Sequence, residues 1–291
     1  MRSNCKALLG HSHRSLAITL TNTLALAFAG ALSMAAAGEE PHDMTGSWGG
    51  FFPSTDNPNN RAAASFEVSS QDKRRFTGMF RVSGMICTLE GTISASGMMN
   101  AKGDCGAMSE LMLHGHVTEV DEGALVPCIF EGRWTLRTAI GKDDGNLALL
   151  HFKSGPTELA TGHWEGSAHD DGSGDPHEPV KPVMADFRTE FGDNFMKRGA
   201  GRVTIGETAP SMPVNEFDVF FDIAQLPDSD THGFALVGGG EAGILVFVGR
   251  FNDPSEPGMP AMIRARHRLH LPSGDVLEGN VALDRALQAA Q

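Results

Sequence analysis

Leu89-Glu90-Gly91-Thr92-Ile93 is one of five short segments in which a glycine has one residue on either side and mostly apolar residues beyond them. The other four are Thr45-Gly46-Ser47-Trp48, Phe76-Thr77-Gly78-Met79-Phe80, Leu113-His114-Gly115-His116-Val117 and Phe130-Glu131-Gly132-Arg133-Trp134. Because side chains alternate along a strand, the glycine and these apolar residues share one face. A strand that lacks a side chain there coils sharply or lets a large neighbour lie over its backbone. Repeated once per strand, the pattern favours a curved meander that closes on itself.

Short alternating runs bounded by Gly, Asn, Asp or Pro recur around these segments, and long amphipathic helical patterns are nearly absent. Many short strands separated by turn signals are typical of an all-β protein. The sequence therefore predicts an antiparallel meander, a barrel or a sandwich, over residues 38–168. Its candidate strands are Ala64–Ser69, Phe76–Val82, Cys87–Ala95, Leu111–Val120, Leu125–Thr138, Asn146–Lys153 and Thr161–Ala168.

The start of this region resembles the opening strands of lipocalin- and avidin-type barrels, the calycins. The resemblance rests on Met44-Thr45-Gly46-Ser47-Trp48, then Phe66-Glu67-Val68, then Arg75 to Phe80. Calycins begin with Gly-x-Trp on the first strand, the Trp closes one end of the barrel, and the mouth binds small hydrophobic or heterocyclic ligands. The resemblance covers at most residues 44–168 and implies that Trp48 is a structural plug, not a ligand contact. The chain departs from the pattern in having no Tyr.

A second β-rich unit with one or two short helices is predicted over residues 183–291. The stretch at 169–182 is acidic, rich in turn formers and without apolar periodicity, which predicts a linker or exposed loop. In Met184–Lys197, phenylalanines recur at steps of four and predict one amphipathic helix. Ala282–Gln291 is predicted to be a short terminal helix.

Two strands of this second unit have clear faces, Glu216–Ile223 and Ile263–Leu271. One face of the second strand carries a basic stripe, Arg264, Arg266, Arg268 and His270. The stripe could bind an anion, but we favour cross-strand ion pairs with Glu216, Asp218 and Asp222. Gly238-Gly239-Gly240 precedes a continuous apolar run, Ile244–Val248, which predicts a hairpin turn. A phosphate-binding loop would instead precede a helix.

The first residues decide the compartment. The segment from Met1 to about Ala37 has a basic start, an apolar middle and a small-residue end, and it contains no Asp or Glu. These features predict a cleavable secretory leader over residues 1–37 and a periplasmic or secreted protein. No later apolar run is long enough for a transmembrane helix, so we expect no span in the mature chain. The net charge of -13 is a poor match to the phosphate backbone of a nucleic acid.

Three cysteines remain after the leader: Cys87, Cys105 and Cys128. In an oxidising compartment we expect one disulfide and one spare thiol. A tight turn at Ser96-Gly97 pairs residues whose numbers sum to about 193, which puts Cys87 and Cys105 nearly opposite each other. We predict that these two are bonded and that Cys128 is free. The competing pairing is Cys105 with Cys128.

His114 and His116 lie two residues apart on one strand face, a spacing that can ligate Zn²⁺ or Cu²⁺. A metal site needs a third ligand that the sequence does not identify, and a solvated outer face is the favoured interpretation of so short a motif. No catalytic signature for a nucleophile is present.

The functional hypothesis is therefore an exported protein that binds a small molecule or an envelope component without catalysis. Two alternatives remain open. One is a metal-dependent hydrolase that uses zinc at His114 and His116, and the other is a structural or interaction protein without a ligand.

Overall fold

A computed structural model of the 291-residue chain describes residues 41–53, 62–106, 108–119, 128–171, 180–192, 197–206, 214–225, 231–253 and 260–286. Within these ranges the chain forms sixteen β-strands, one short 3₁₀ helix at Thr157–Ala160 and no α-helix. The predicted leader, residues 1–37, lies outside the described residues. In the part that the structure describes, no helix is long and apolar enough to cross a membrane.

The first eight strands form one closed antiparallel barrel, barrel 1, in which each strand pairs with the next and β1 pairs with β8. The strands are β1 (Gly46–Phe52), β2 (Ala62–Asp72), β3 (Arg75–Val82), β4 (Met85–Ile93), β5 (Met98–Asp104), β6 (Glu110–Glu119), β7 (Cys128–Thr138) and β8 (Gly141–His151).

The next eight strands repeat this topology in a second closed barrel, barrel 2, in which β9 pairs with both β10 and β16. The strands are β9 (Gly162–Asp170), β10 (Lys181–Phe191), β11 (Lys197–Ile205), β12 (Asn215–Gln225), β13 (Thr231–Gly240), β14 (Gly243–Asn252), β15 (Met262–His270) and β16 (Val276–Arg285).

The inside of each barrel is filled from alternate positions along the strands. In β3, exposed and buried residues alternate without interruption from Arg75 to Val82. The inward positions of barrel 1 carry a cluster of aromatic rings that includes Phe66, Phe80 and Trp134. Barrel 2 has its own cluster, to which Phe221 belongs. Burial of one such side chain stabilises the fold by about 1.5–3 kcal/mol.

The prediction of a barrel or sandwich followed by a β-rich unit with short helices is wrong, because both units are closed barrels and strands occupy the helical segments. The segment predicted as a helix over Met184–Lys197 enters β10 and β11. Phenylalanines four residues apart also share one face of a strand, since four is a multiple of the strand period of two. Buried Ala185 and Phe187 alternate with exposed Met184 and Asp186, as a strand requires. Phe195 lies outside the described residues.

The terminal helix predicted over Ala282–Gln291 is wrong for its described part. Residues 282–285 belong to β16, where Leu283 is buried between outward-facing neighbours. Residues 287–291 lie outside the described ranges.

The boundaries of the two units also differ from those predicted. The strand predicted at Thr161–Ala168 is β9, which belongs to barrel 2, because β8 already closes barrel 1 by pairing with β1. The predicted linker, residues 169–182, contributes Asp170 to β9 and Lys181 to β10. Its residues 172–179 lie outside the described ranges.

The two barrels pack against each other through their outer walls, within one compact unit. An apolar cluster joins Phe51 and Leu150 of barrel 1 to Phe220, Val237 and Val246 of barrel 2. Phe51 and Phe220 stack with their ring centroids 5.0 Å apart. The continuous apolar character of β14 has its cause here, because one of its faces lines barrel 2 and the other meets barrel 1.

An ion cluster adds to this interface. Glu131 of β7 accepts hydrogen bonds from Arg268, with Nε at 3.0 Å, and from His270, with Nε2 at 2.7 Å. Burial raises the pKa of Glu131, but these bonds and charges outweigh it and leave the pKa below its usual 4.5.

The other two arginines of the basic stripe form ion pairs with acidic residues of barrel 2. Arg264 contacts Asp284, and Arg266 contacts Asp171. The predicted pairing of the stripe with Glu216, Asp218 and Asp222 is wrong, because in a meander β15 lies between β14 and β16 and not beside β12.

Candidate functional site

His114 and His116 both lie on the outer wall of barrel 1, with exposed side chains on β6. His114 Nδ1 is 2.6 Å from Asn100 Oδ1, and His116 Nδ1 is 3.2 Å from Thr118 Oγ1. Among the described residues, no group of three or more His, Cys, Asp or Glu side chains is arranged to hold a metal ion. The structure therefore supplies no third ligand for the predicted zinc site from these residues.

Cys87 of β4 and Cys105, the residue after β5, face each other with their sulfur atoms 2.02 Å apart. The register of this hairpin pairs Thr88 with Asp104, so that paired residue numbers sum to 192, one less than the sum expected of a turn at Ser96-Gly97. Cys128, at the start of β7, is buried and is not part of a disulfide. The bond itself stays a prediction for peptide mapping.

Trp48 lies inside one end of barrel 1 and is 1% exposed. Its Nε1 donates to Met44 O at 2.8 Å, and its ring stacks on His151 with the centroids 4.4 Å apart. Burial and the nearby charge of Lys153 lower the pKa of His151 to about 4, so this imidazole is neutral at neutral pH. A side chain at Gly46 would meet His151 Nε2 at 2.9 Å, and its φ of +114° also favours glycine.

Barrel 2 has the same plug. Trp164 Nε1 donates to Ala160 O at 2.8 Å, four residues earlier, as in barrel 1. Arg285 of the last strand takes the place of His151: it pairs with Trp164 in the register, and its guanidinium carbon lies 5.0 Å from the Trp164 ring centroid. The sequence signal for this repeat is Thr161-Gly162-His163-Trp164, which matches Thr45-Gly46-Ser47-Trp48. This second Gly-x-Trp was not among the five glycine segments identified from the sequence.

The opposite end of barrel 2 opens into a cavity of about 130 Å³, which we call the barrel 2 mouth. Its apolar lining comes from five strands and two turns: Ala168, Ile205, Phe217, Ala242, Leu269, Leu271 and Leu277. Around the same end of the barrel, Val180, Val214 and Val276 expose apolar side chains to solvent. The described part of the rim therefore includes three exposed apolar side chains.

Four polar side chains line this cavity, Asn215 among them, and the other three contact one another: Asp170, Lys181 and His267. Lys181 Nζ lies 2.5 Å from Asp170 Oδ2, and His267 Nε2 lies 3.0 Å from Asp170 Oδ1. The side chains of Asp170 and His267 are 13% and 4% exposed, and that of Lys181 is 26% exposed, so Lys181 lies nearest to solvent.

The protonation state of Asp170 follows from its contacts. Burial raises the pKa of Asp170, but the hydrogen bonds and charges of Lys181 and His267 outweigh it, so its pKa falls below the usual 3.8. Asp170 is thus a carboxylate at neutral pH and accepts a hydrogen from His267 Nε2. The other ring nitrogen, Nδ1, is buried and has no hydrogen-bond partner among the residues that the structure describes. An enclosed, mostly apolar cavity with a few convergent polar groups is the usual form of a small-molecule site.

Asp170 and Lys181 were not predicted as site residues, because they fall in a stretch that reads as an acidic loop. The sequence signal that could have found them is the alternation of inward and outward positions along each strand. Asp170 continues the inward positions Trp164 and Ala168, and Lys181 precedes the inward positions Val183 and Ala185.

A larger depression lies on the outer wall of barrel 1. It has a volume of about 1010 Å³ and is wide open, and its lining mixes apolar residues such as Phe76 and Met112 with the polar Lys102, His114 and Arg133. Lys102 pairs with Glu110 at 2.7 Å, and Arg133 pairs with Asp144 at 3.0 Å. This surface therefore offers paired, solvated charges and little enclosure, and we place the candidate site in the barrel 2 mouth.

Comparisons with known proteins give no family assignment. No protein-family model matches the chain, and no curated protein matches it. Among solved structures, a match is the crystal structure of a protein of unknown function from the DUF3598 family of Nostoc punctiforme PCC 73102. The two share 12% sequence identity over 84% of this chain and 96% of that chain, with a TM-score of 0.26.

Proposed function

We propose that this chain is a non-catalytic small-molecule-binding protein whose ligand enters the barrel 2 mouth. The observation that carries the proposal is the pairing of a plugged end with an open one. Trp164 and Arg285 fill one end of barrel 2, and the other end keeps an apolar cavity with three convergent polar side chains.

The size of the cavity limits the ligand. An apolar cavity of about 150 Å³ is large enough to hold benzene. The barrel 2 mouth, at about 130 Å³, is therefore suited to one ring or a short branched chain, with the remainder of a larger ligand lying across the rim.

In this proposal barrel 1 does not hold the ligand. Its interior is packed with aromatic rings, and Phe52 stacks on Trp134 with centroids 3.9 Å apart. The Gly-x-Trp plug that underlies the calycin resemblance occurs in both barrels, and we propose that both are calycin-like, with the ligand site kept in the second. We also propose that the protein is exported by way of the leader at residues 1–37.

The binding function is tested with toluene, a neutral ring of the right size, in a titration followed by the methyl NMR signals of Ile, Leu and Val. Saturable shifts at Ile205, Leu269 and Leu277 are the expected result. Ala242→Trp should abolish these shifts, because Ala242 lines the mouth and a large ring there fills it.

The matched control is Ile140→Trp, in the fully exposed turn between β7 and β8, which should leave the titration unchanged. If toluene moves none of these signals in the wild-type protein, the mouth is not a binding site.

A further inference from the structure

We propose that the barrel 2 mouth selects a ligand that is uncharged and that carries a hydrogen-bond acceptor, such as a carbonyl oxygen, which Lys181 binds. This inference rests on the proposed binding function and specifies the chemistry of its ligand.

The charges of Asp170 and Lys181 in the mouth already neutralise each other. Asp170 uses one oxygen for the Lys181 ammonium and the other for His267 Nε2. The remaining residues that line the cavity are uncharged. An anion that entered would meet the carboxylate of Asp170 as well as Lys181, and a cation would find Asp170 already paired.

Moving an ion from water into the mouth costs desolvation free energy. A charged group that leaves water for an apolar cavity loses its hydration, and only an unpaired counter-charge with good geometry offsets that loss. The mouth provides no such counter-charge among its described lining residues. The net charge of the whole chain, -13, adds a further unfavourable field for anions.

Lys181 keeps N–H donors that a ligand can use. An ammonium group has three N–H donors, and the described residues give Lys181 Nζ one acceptor, Asp170. Because Lys181 is the triad member nearest to solvent, an acceptor atom at the outer end of a ligand can reach it while the ring lies deeper against Phe217 and Ile205. His267 cannot do this, because its N–H at Nε2 is given to Asp170 and its Nδ1 then carries no hydrogen to donate.

Four ligands with the same ring test the inference at pH 7: toluene, acetophenone, benzoate and benzylamine. In the wild-type protein, acetophenone should bind roughly fivefold more tightly than toluene, as expected of one added hydrogen bond of about 1 kcal/mol. Benzoate and benzylamine should each bind at least tenfold more weakly than acetophenone.

Lys181→Met should reverse part of this order. Acetophenone should lose its advantage over toluene, because the donor is gone. Benzylamine should become the tightest of the four, because its ammonium can replace that of Lys181 beside Asp170. Lys142→Met, at an exposed position on β8 of barrel 1, is the matched control and should keep the wild-type order.

The outcomes separate the two claims. Benzoate as the tightest wild-type ligand would show that Lys181 is an open anion anchor, which overturns this inference and leaves the binding function standing. If none of the four binds, the proposed function itself fails. The wild-type order is decisive even if the Lys181 variant does not fold.

Discussion

Asp222 should make the protein more stable as the pH falls from 8 to 5, the opposite of the usual behaviour of a paired carboxylate. Asp222 lies on the outer face of β12 and is fully buried by the segment that connects the two barrels. Its oxygens accept hydrogen bonds from the backbone N–H groups of Lys153 at 2.6 Å, Gly155 at 3.2 Å and Ile223 at 2.9 Å.

The magnitude follows from the pKa. Burial raises the pKa of Asp222 from 3.8 to about 6, although the three backbone hydrogen bonds act in the opposite direction. Because the pKa of Asp222 is higher in the folded state, the folded state binds the proton more tightly than the unfolded chain does. The stabilisation from this proton is fully present below pH 3.8 and is lost as the pH rises through about 6. The full effect is about 3 kcal/mol, and about 1.4 kcal/mol of it should appear between pH 8 and pH 5.

The assay is urea unfolding, followed by tryptophan fluorescence at pH 8 and pH 5, of the wild type and Asp222→Asn. The variant loses at least one backbone hydrogen bond at both pH values, but it cannot take up the proton. The free energy of unfolding of the wild type relative to the variant should therefore rise by about 1.4 kcal/mol at the lower pH. Asp218→Asn changes an exposed position on the same strand, and its free energy of unfolding should change with pH as that of the wild type does. An unchanged difference between wild type and Asp222→Asn at the two pH values would refute the reasoning.

Three further predictions concern the rest of the chain. Phe221→Asp should unfold barrel 2, because it buries a charge in the core, whereas Arg266→Ser should change the free energy of unfolding by less than about 1 kcal/mol. Calorimetry of both variants checks this, and equal stability of the two variants would contradict it. Mass spectrometry of the exported protein should find Gly38 at the amino terminus, and a mature species that keeps Leu24–Met34 would contradict the leader. Non-reducing peptide mapping should recover Cys87 linked to Cys105 with Cys128 unlinked, and any crosslink to Cys128 refutes the pairing.

Local patterns in the sequence were sufficient wherever two neighbouring strands decide the outcome. The alternation of Phe217, Val219 and Phe221 identified the inner face of β12, because strand side chains alternate whatever surrounds them. The Cys87 and Cys105 pair followed from the length of a single turn, which sets the register of its hairpin.

The features that were missed depend on how the strands close. Nothing local distinguishes a sheet that ends from one whose last strand returns to its first, so the sequence did not place β9 in barrel 2. The candidate site was hidden for the same reason. Asp170 and Lys181 read as loop residues until barrel closure brings them near His267, which is 97 residues from Asp170 along the chain.

The central claim is that barrel 2, and not barrel 1, keeps an open ligand cavity. A crystal structure of the protein under xenon pressure tests it directly, since xenon occupies dry apolar cavities without specific bonds. The account predicts xenon density in the barrel 2 mouth, between Ile205, Phe217 and Leu277. Xenon bound inside barrel 1 with none in the barrel 2 mouth would contradict it.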